Sequence, residues 1–203
     1  MSLDNLLALL GFAFVMSISP GPSNFLLLAS GVNFGFRRSV PLVLGISLGF
    51  LTMVFFVGLG LGQILKSTPF IYGALKLACA AYVLWLAWKI ARSRSMGPAD
   101  SSEVEIPISF VQAALFQLVN PKAWAVALIV TVSYTDPERY LPSLIIMILL
   151  FAAVNLPSIS VWAASGVALR RIIGEGRAIV VFNVFMALLL VASMVPVLLG
   201  SMS

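Results

Sequence analysis

Long apolar runs leave a polypeptide few ways to fold, and this chain consists mostly of them. Six runs, roughly 5–34, 39–65, 70–90, 109–133, 141–168 and 178–199, each match the ~20 residues that an α-helix needs to cross a ~30 Å hydrocarbon layer. Hydrophobic residues make up 61% of the chain and charged residues 9%. That leaves too little polar surface to cover a water-soluble core, so the solvent is lipid. A spanning segment must satisfy its own backbone hydrogen bonds, which restricts it to helices or a closed barrel. The runs are continuous rather than alternating over ten residues, and they therefore read as helices. The expected fold is an all-α integral membrane protein with six transmembrane helices.

Residues 91–108 form the one long hydrophilic connection, carrying Arg92, Arg94, Asp100, Glu103 and Glu105 with Gly97-Pro98 and Ser101-Ser102. They separate a three-helix unit at 1–90 from a second at 109–203. Orientation follows from the basic residues between runs. Arg37, Arg38, Lys89, Arg92, Arg94, Arg170, Arg171 and Arg177 fall on one side, against Lys66, Lys76 and Arg139 on the other. Both termini are expected outside the cytoplasm. The net charge of +5 is spread over short clusters between runs, which is the pattern of membrane topology and not of a nucleic-acid footprint. Residues 1–18 carry Asp4 and no basic residue, and the first run continues to Ala29, so it reads as a retained span rather than a cleaved leader.

The composition excludes chemistry as well. Without histidine there is no Ser-His or Cys-His nucleophile pair and no imidazole metal site, and Cys79 alone forms no internal disulfide. No catalytic residue, metal or cofactor is expected.

At an offset of 101 residues, Ser19-Pro20-Gly21-Pro22 falls on Asn120-Pro121-Lys122-Ala123, and Pro41 falls on Pro142. Each half has an odd number of spans, so the second copy enters the membrane from the opposite side, as an inverted repeat. Proline removes a backbone donor and clashes with the preceding turn, so helices 1 and 4 are expected to break at Pro20-Gly21-Pro22 and at Pro121. Freed backbone groups cannot face lipid; the breaks must be buried or line a wet cavity. The second half-helices then start near the midplane with their positive dipole ends facing the gap, Ser23 and Asn24 being available as caps. Two such ends together make a site for an anion, naturally a carboxylate.

Lys122 lies near the middle of the fourth run, where an ammonium needs a partner or a wet cavity. All seven acids are terminal or in connections. The candidates are a substrate carboxylate, exchange of a proton during transport, or snorkelling to an interface. A transporter of cationic amino acids or divalent metals would be expected to carry a buried acid. Neutral zwitterions fit better, their ammonium held by carbonyls freed at the breaks and a polar side chain by Ser17, Ser19, Gln117 or Asn120. Asn155-Leu156-Pro157 marks a similar weakening of the fifth run, as cavity lining or as an interhelical hydrogen bond. Gly45, Gly49, Gly58 and Gly62, with Ala74, Ala78 and Ala81, read as close helix packing. Tyr82, Trp85 and Trp88 before Lys89 and Arg92 read as an interfacial anchor.

Ser19-Pro20-Gly21-Pro22-Ser23-Asn24, Gly45-Ile46-Ser47-Leu48-Gly49, Ala80 through Lys89 and Asn120-Pro121-Lys122-Ala123 together resemble the LysE/RhtB family of bacterial amino-acid exporters, over nearly the whole length. Within it the chain is most similar to the cysteine and O-acetylserine exporter branch. The resemblance implies a six-span inner-membrane exporter driven by the proton motive force. Family members commonly place Asn directly after Pro-Gly-Pro; here Ser23 intervenes, moving the amide about 100° around the helix. The expected function is alternating-access export of small neutral amino acids or close derivatives. Its expected site comprises Ser19, Pro20, Gly21, Pro22, Ser23, Asn24, Gln117, Asn120, Pro121 and Lys122. The expected partners are the amino acid, lipid and protons. Export of another metabolite or ion, or a small membrane enzyme or scaffold, are the alternatives.

Overall fold

The computed structural model describes residues 3–61, 69–93, 107–174, 176–193 and 195. Among these there are seven helices and no strand: α1 (Leu3–Ile18), α2 (Pro22–Gly58), α3 (Pro69–Arg92), α4 (Phe110–Val119), α5 (Pro121–Ser133), α6 (Tyr140–Ile173) and α7 (Arg177–Ala192). Lys66, Gly62 and most of the hydrophilic connection, including Arg94, Gly97, Pro98, Asp100 and Glu103, lie outside the described residues.

The prolines act where expected. α1 stops at Ile18 and α2 restarts with Pro22 in its first turn. α4 stops at Val119, and α5 leaves at 72° with Pro121 in its first turn. Ser109 starts α4 with a reciprocal capping box to Gln112.

One expected connection is not a loop. The expected boundary between runs one and two, residues 35–38, is a reversal in a single residue: α2 is helical on both sides of Gly35, which has φ 77° and ψ 170°. Ser30 Oγ and Ser39 Oγ lie 2.7 Å apart. Nine residues of straight helix would separate them by about 13 Å along the axis, so the chain doubles back at Gly35. Only glycine enters that backbone region freely, and it reverses the chain in one residue.

α2 makes its most extensive contact with α6; α4 also packs on α2, α1 on α6, and α3 on α7. A methyl group at Gly49 would lie 2.6 Å from Ala114 Cα, and one at Gly45 would meet the Phe110 carbonyl, so these glycines let α2 and α4 approach closely. Two apolar clusters form the interior. One is centred on Leu27, Ile46, Leu86, Phe116 and Ile159, the other on Leu9, Phe50, Val126, Met147 and Phe151. Outward faces are apolar too, with Val132 82% and Ile172 83% exposed, as suits a lipid solvent. By length and composition α2, on either side of the Gly35 reversal, and α6 contain stretches apolar enough for a membrane, and α4 with α5 is a bent pair that passes the same test together.

The bundle has two chemically different ends. At one, the buried amides of Asn33 and Asn183 exchange hydrogen bonds at 2.7 and 2.9 Å, and Asn183 also donates to Ser93 O. This joins the Gly35 turn, the end of α3 and the start of α7, bringing Arg37, Arg38, Lys89, Arg92 and Arg177 to one end. Trp85 and Trp88 carry Lys89 and Arg92 over their rings at 5.7 and 4.9 Å, as an interfacial anchor does. At the other end Tyr134 donates to Ala8 O and Tyr140 to Gly58 O. That end carries Asp4, Asp136, Glu138 and Arg139.

Candidate functional site

The interruption of α1 frees the carbonyls of its last turn, and each is met by a side chain. Ser17 O and Ser19 O both accept from Asn24 Nδ2 at 2.8 Å. Ile18 O accepts from Trp162 Nε1 on α6 at 3.0 Å. Ser19 O also accepts from Lys122 Nζ at 2.8 Å, as does Ser19 Oγ, with Pro20 O at 3.5 Å. The lysine thus reaches from the first turn of α5 to the break between α1 and α2. A methyl group on Gly21 would sit 2.9 Å from Lys122 Cδ; the absent side chain is what admits the lysine.

Two expectations are corrected here. Carbonyls expected to hold a substrate ammonium are occupied by the protein's own donors, because an orphaned acceptor in this medium is costly. Ser23 and Asn24 do not cap α2, whose start has no side-chain cap. Pro22 occupies the first helical position and places both residues inside the first turn, past the point where a side chain can cap. Ser23 Oγ instead donates to Gln117 Oε1 at 3.2 Å and accepts from Asn120 Nδ2 at 2.9 Å, linking the two breaks. The α5 break is capped: Asn120 Oδ1 accepts from Lys122 N at 3.1 Å.

Of the ten candidate residues, Gly21, Ser23, Asn24, Gln117, Asn120 and Lys122 line one pocket between the interrupted helices. Ser19, Pro20, Pro22 and Pro121 do not. Pro22 and Pro121 set the helix starts, Ser19 and the Pro20 carbonyl hold the lysine, and the Pro20 ring is exposed. The opposite wall is apolar apart from Asn155, with Ile46 and Phe50 of α2 and Phe151 and Ile159 of α6, where the two interior clusters meet. The cavity volume is about 50 Å³, enough for a few waters and too small for an amino acid. The 16 residues of α1 rise about 24 Å, short of the ~30 Å hydrocarbon layer, so α1 alone is too short for a full crossing.

Residues 14–200 match the family model described as LysE type translocator. The chain belongs to the LysE-type translocator family. Proteins named cysteine/O-acetylserine efflux protein from Escherichia coli (strain K12), Shigella flexneri and Shigella sonnei (strain Ss046) are each 32% identical to it over 183 residues, covering 89% of this chain and 90% of theirs. No solved structure matches. The resemblance to bacterial amino-acid exporters holds: this LysE-type translocator is a multi-pass membrane transporter and not an enzyme.

The sequence reading missed Trp162, whose indole completes the α1 terminus, and the reciprocal Asn33–Asn183 pair; a lone polar group inside an apolar run was the available signal for each. Of the two roles expected for it, cavity lining and an interhelical bond, Asn155 has both in the structure. Its Nδ2 donates to Ser17 Oγ at 2.9 Å, and it lines the pocket. The weakening expected beside it does not occur, since α6 runs unbroken through Pro157.

Proposed function

We propose that this LysE-type translocator exports small neutral amino acids or close derivatives, of the cysteine and O-acetylserine kind named for its relatives, by alternating access across the bacterial inner membrane at the expense of the proton motive force. The observation that carries this reading is the Lys122 bridge between two helix interruptions. A substrate carboxylate entering the pocket competes for the ammonium with the Ser19 and Pro20 carbonyls and meets the uncapped start of α2. Releasing the lysine from those carbonyls removes one of the links between the two breaks, the Ser23–Gln117–Asn120 link remaining, and loosens the cavity toward the width the substrate needs.

The proposed frame is six spans in two inverted repeats, 1–90 and 109–203, joined by residues 91–108. Three features support it: proline restarts a half-helix in each half, the paired elements α3 and α7 pack together, and Pro41 and Pro142 match at the offset of the breaks. The proposed site comprises Ser19, Pro20, Gly21, Pro22, Ser23, Asn24, Gln117, Asn120, Pro121 and Lys122, with Lys122 as its one cation.

Lys122→Met keeps the length of the side chain and removes its charge. Expression of the wild type is expected to raise the amino acid content of the medium and tolerance to a toxic analogue; the variant loses both at normal membrane abundance. Efflux at the wild-type rate from Lys122→Met would refute the role given to the lysine.

A further inference from the structure

A zwitterion has two ends, and the reading above accommodates only the carboxylate. The acceptors nearest that end are already engaged. Asn24, Trp162, Ser19 and Lys122 occupy the carbonyls of α1. Gln117 Oε1 accepts from Ser23 and Asn120, and Asn120 Oδ1 from Lys122 N. One oxygen stands apart. Among the described residues, Asn155 Oδ1 is the buried side-chain atom with no hydrogen-bond partner. The residue is 6% exposed and lines the same pocket as Lys122. In the structure Nδ2 donates to Ser17 Oγ at 2.9 Å, which leaves Oδ1 as the end of the amide without a partner. Orphaned acceptors are rare inside proteins, and one held in a transport cavity has a natural use in meeting a donor that arrives with the cargo.

We infer that Asn155 Oδ1 accepts the substrate's α-ammonium, and that the Ser17–Asn155 pair is the element by which this transporter distinguishes amino acids from other carboxylates. The inference rests on the export reading. It places the two charged ends of the cargo on different helices, the carboxylate at the α2 and α5 starts and the ammonium on α6. A neutral amide rather than an acid at this point suits a zwitterion: the ammonium gains a charge-assisted hydrogen bond, and no fixed negative charge stays buried when the pocket is unloaded.

The test pairs a change in the protein with a change in the cargo. Purified transporter in proteoliposomes is assayed by counterflow of radiolabelled L-cysteine under reducing conditions. Unlabelled L-cysteine and its 2-hydroxy analogue, with hydroxyl in place of ammonium, serve as competitors. Wild type is expected to prefer the amino acid by about tenfold or more, the size of a hydrogen bond to a charged group. Asn155→Leu should reduce that preference to within about twofold, by weakening cysteine and leaving the hydroxy acid nearly unaffected. Asn155→Asp retains the acceptor and should retain the preference, which gives a readout if the leucine variant fails to assemble. The inference is overturned by a leucine variant that keeps the preference or weakens both competitors alike, by an aspartate variant that loses it, or by a wild type indifferent to the ammonium. A wild type that moves no amino acid overturns the export reading itself, and is told apart by the absence of any cysteine counterflow.

Discussion

Asn24 shows how a single amide holds a broken helix together. Its two N–H groups are divided between Ser17 O and Ser19 O, so one residue of α2 closes the end of α1. Removing it leaves Ser17 O without a donor in a site 5% exposed, whereas Ser19 O keeps Lys122. A buried unsatisfied carbonyl costs about 1–3 kcal/mol. Asn24→Leu is therefore expected to lower the unfolding temperature of the detergent-solubilised protein by several degrees, with Asn24→Asp no better, because an ionised carboxylate offers only acceptors to two carbonyl oxygens. An unfolding temperature unchanged in Asn24→Leu would mean that the break is not stabilised by this amide. Ser23 next to it works differently. Its hydroxyl donates to Gln117 and accepts from Asn120, so it ties the start of α2 to the break between α4 and α5.

At the level of elements the turn at Gly35 is the most demanding feature. A methyl group there would meet nothing within 4 Å, so any penalty for substitution comes from the backbone. With φ 77° and ψ 170° the residue lies outside the small left-handed helical region that asparagine tolerates. Gly35→Ala and Gly35→Asn should consequently destabilise to a similar extent, by roughly 1–3 kcal/mol. Gly11→Ala, in α1 with equally open surroundings, should be neutral or stabilising; thermal unfolding in detergent reads all three, and an asparagine variant as stable as wild type would refute the account. The same contrast explains what was legible in the sequence. The stops at Pro20–Pro22 and Pro121 were readable because proline acts on its own turn. The hairpin at Gly35 was not, since Arg37 and Arg38 mark a membrane edge equally well in a loop or in a one-residue reversal. Nor did any local rule show that Asn24 would turn back to Ser17 and Ser19 across the break, or that Trp162 would arrive from α6, a partner chosen by packing across 144 residues.

Considered whole, the molecule is a bundle with a basic end, an acidic end and a polar layer between them. The Asn33–Asn183–Ser93 junction gathers the Gly35 turn, the end of α3 and the start of α7, and with them the arginines and lysines that the positive-inside rule assigns to the cytoplasm. The tyrosine contacts at the other end gather the α1 start, the α2 end and the segment carrying Asp136 and Glu138. If that polarity governs insertion, the two ends are accessible from opposite sides of the membrane, with the α1 start periplasmic. This is testable in intact cells, because the native thiol is a single residue and Cys79→Ser supplies a cysteine-free background. Asp136→Cys in that background is expected to react with a membrane-impermeant maleimide added outside. Arg171→Cys is expected to react only once the inner membrane is opened, and labelling in the reverse order would invert the proposed topology and with it the direction assigned to transport through the pocket.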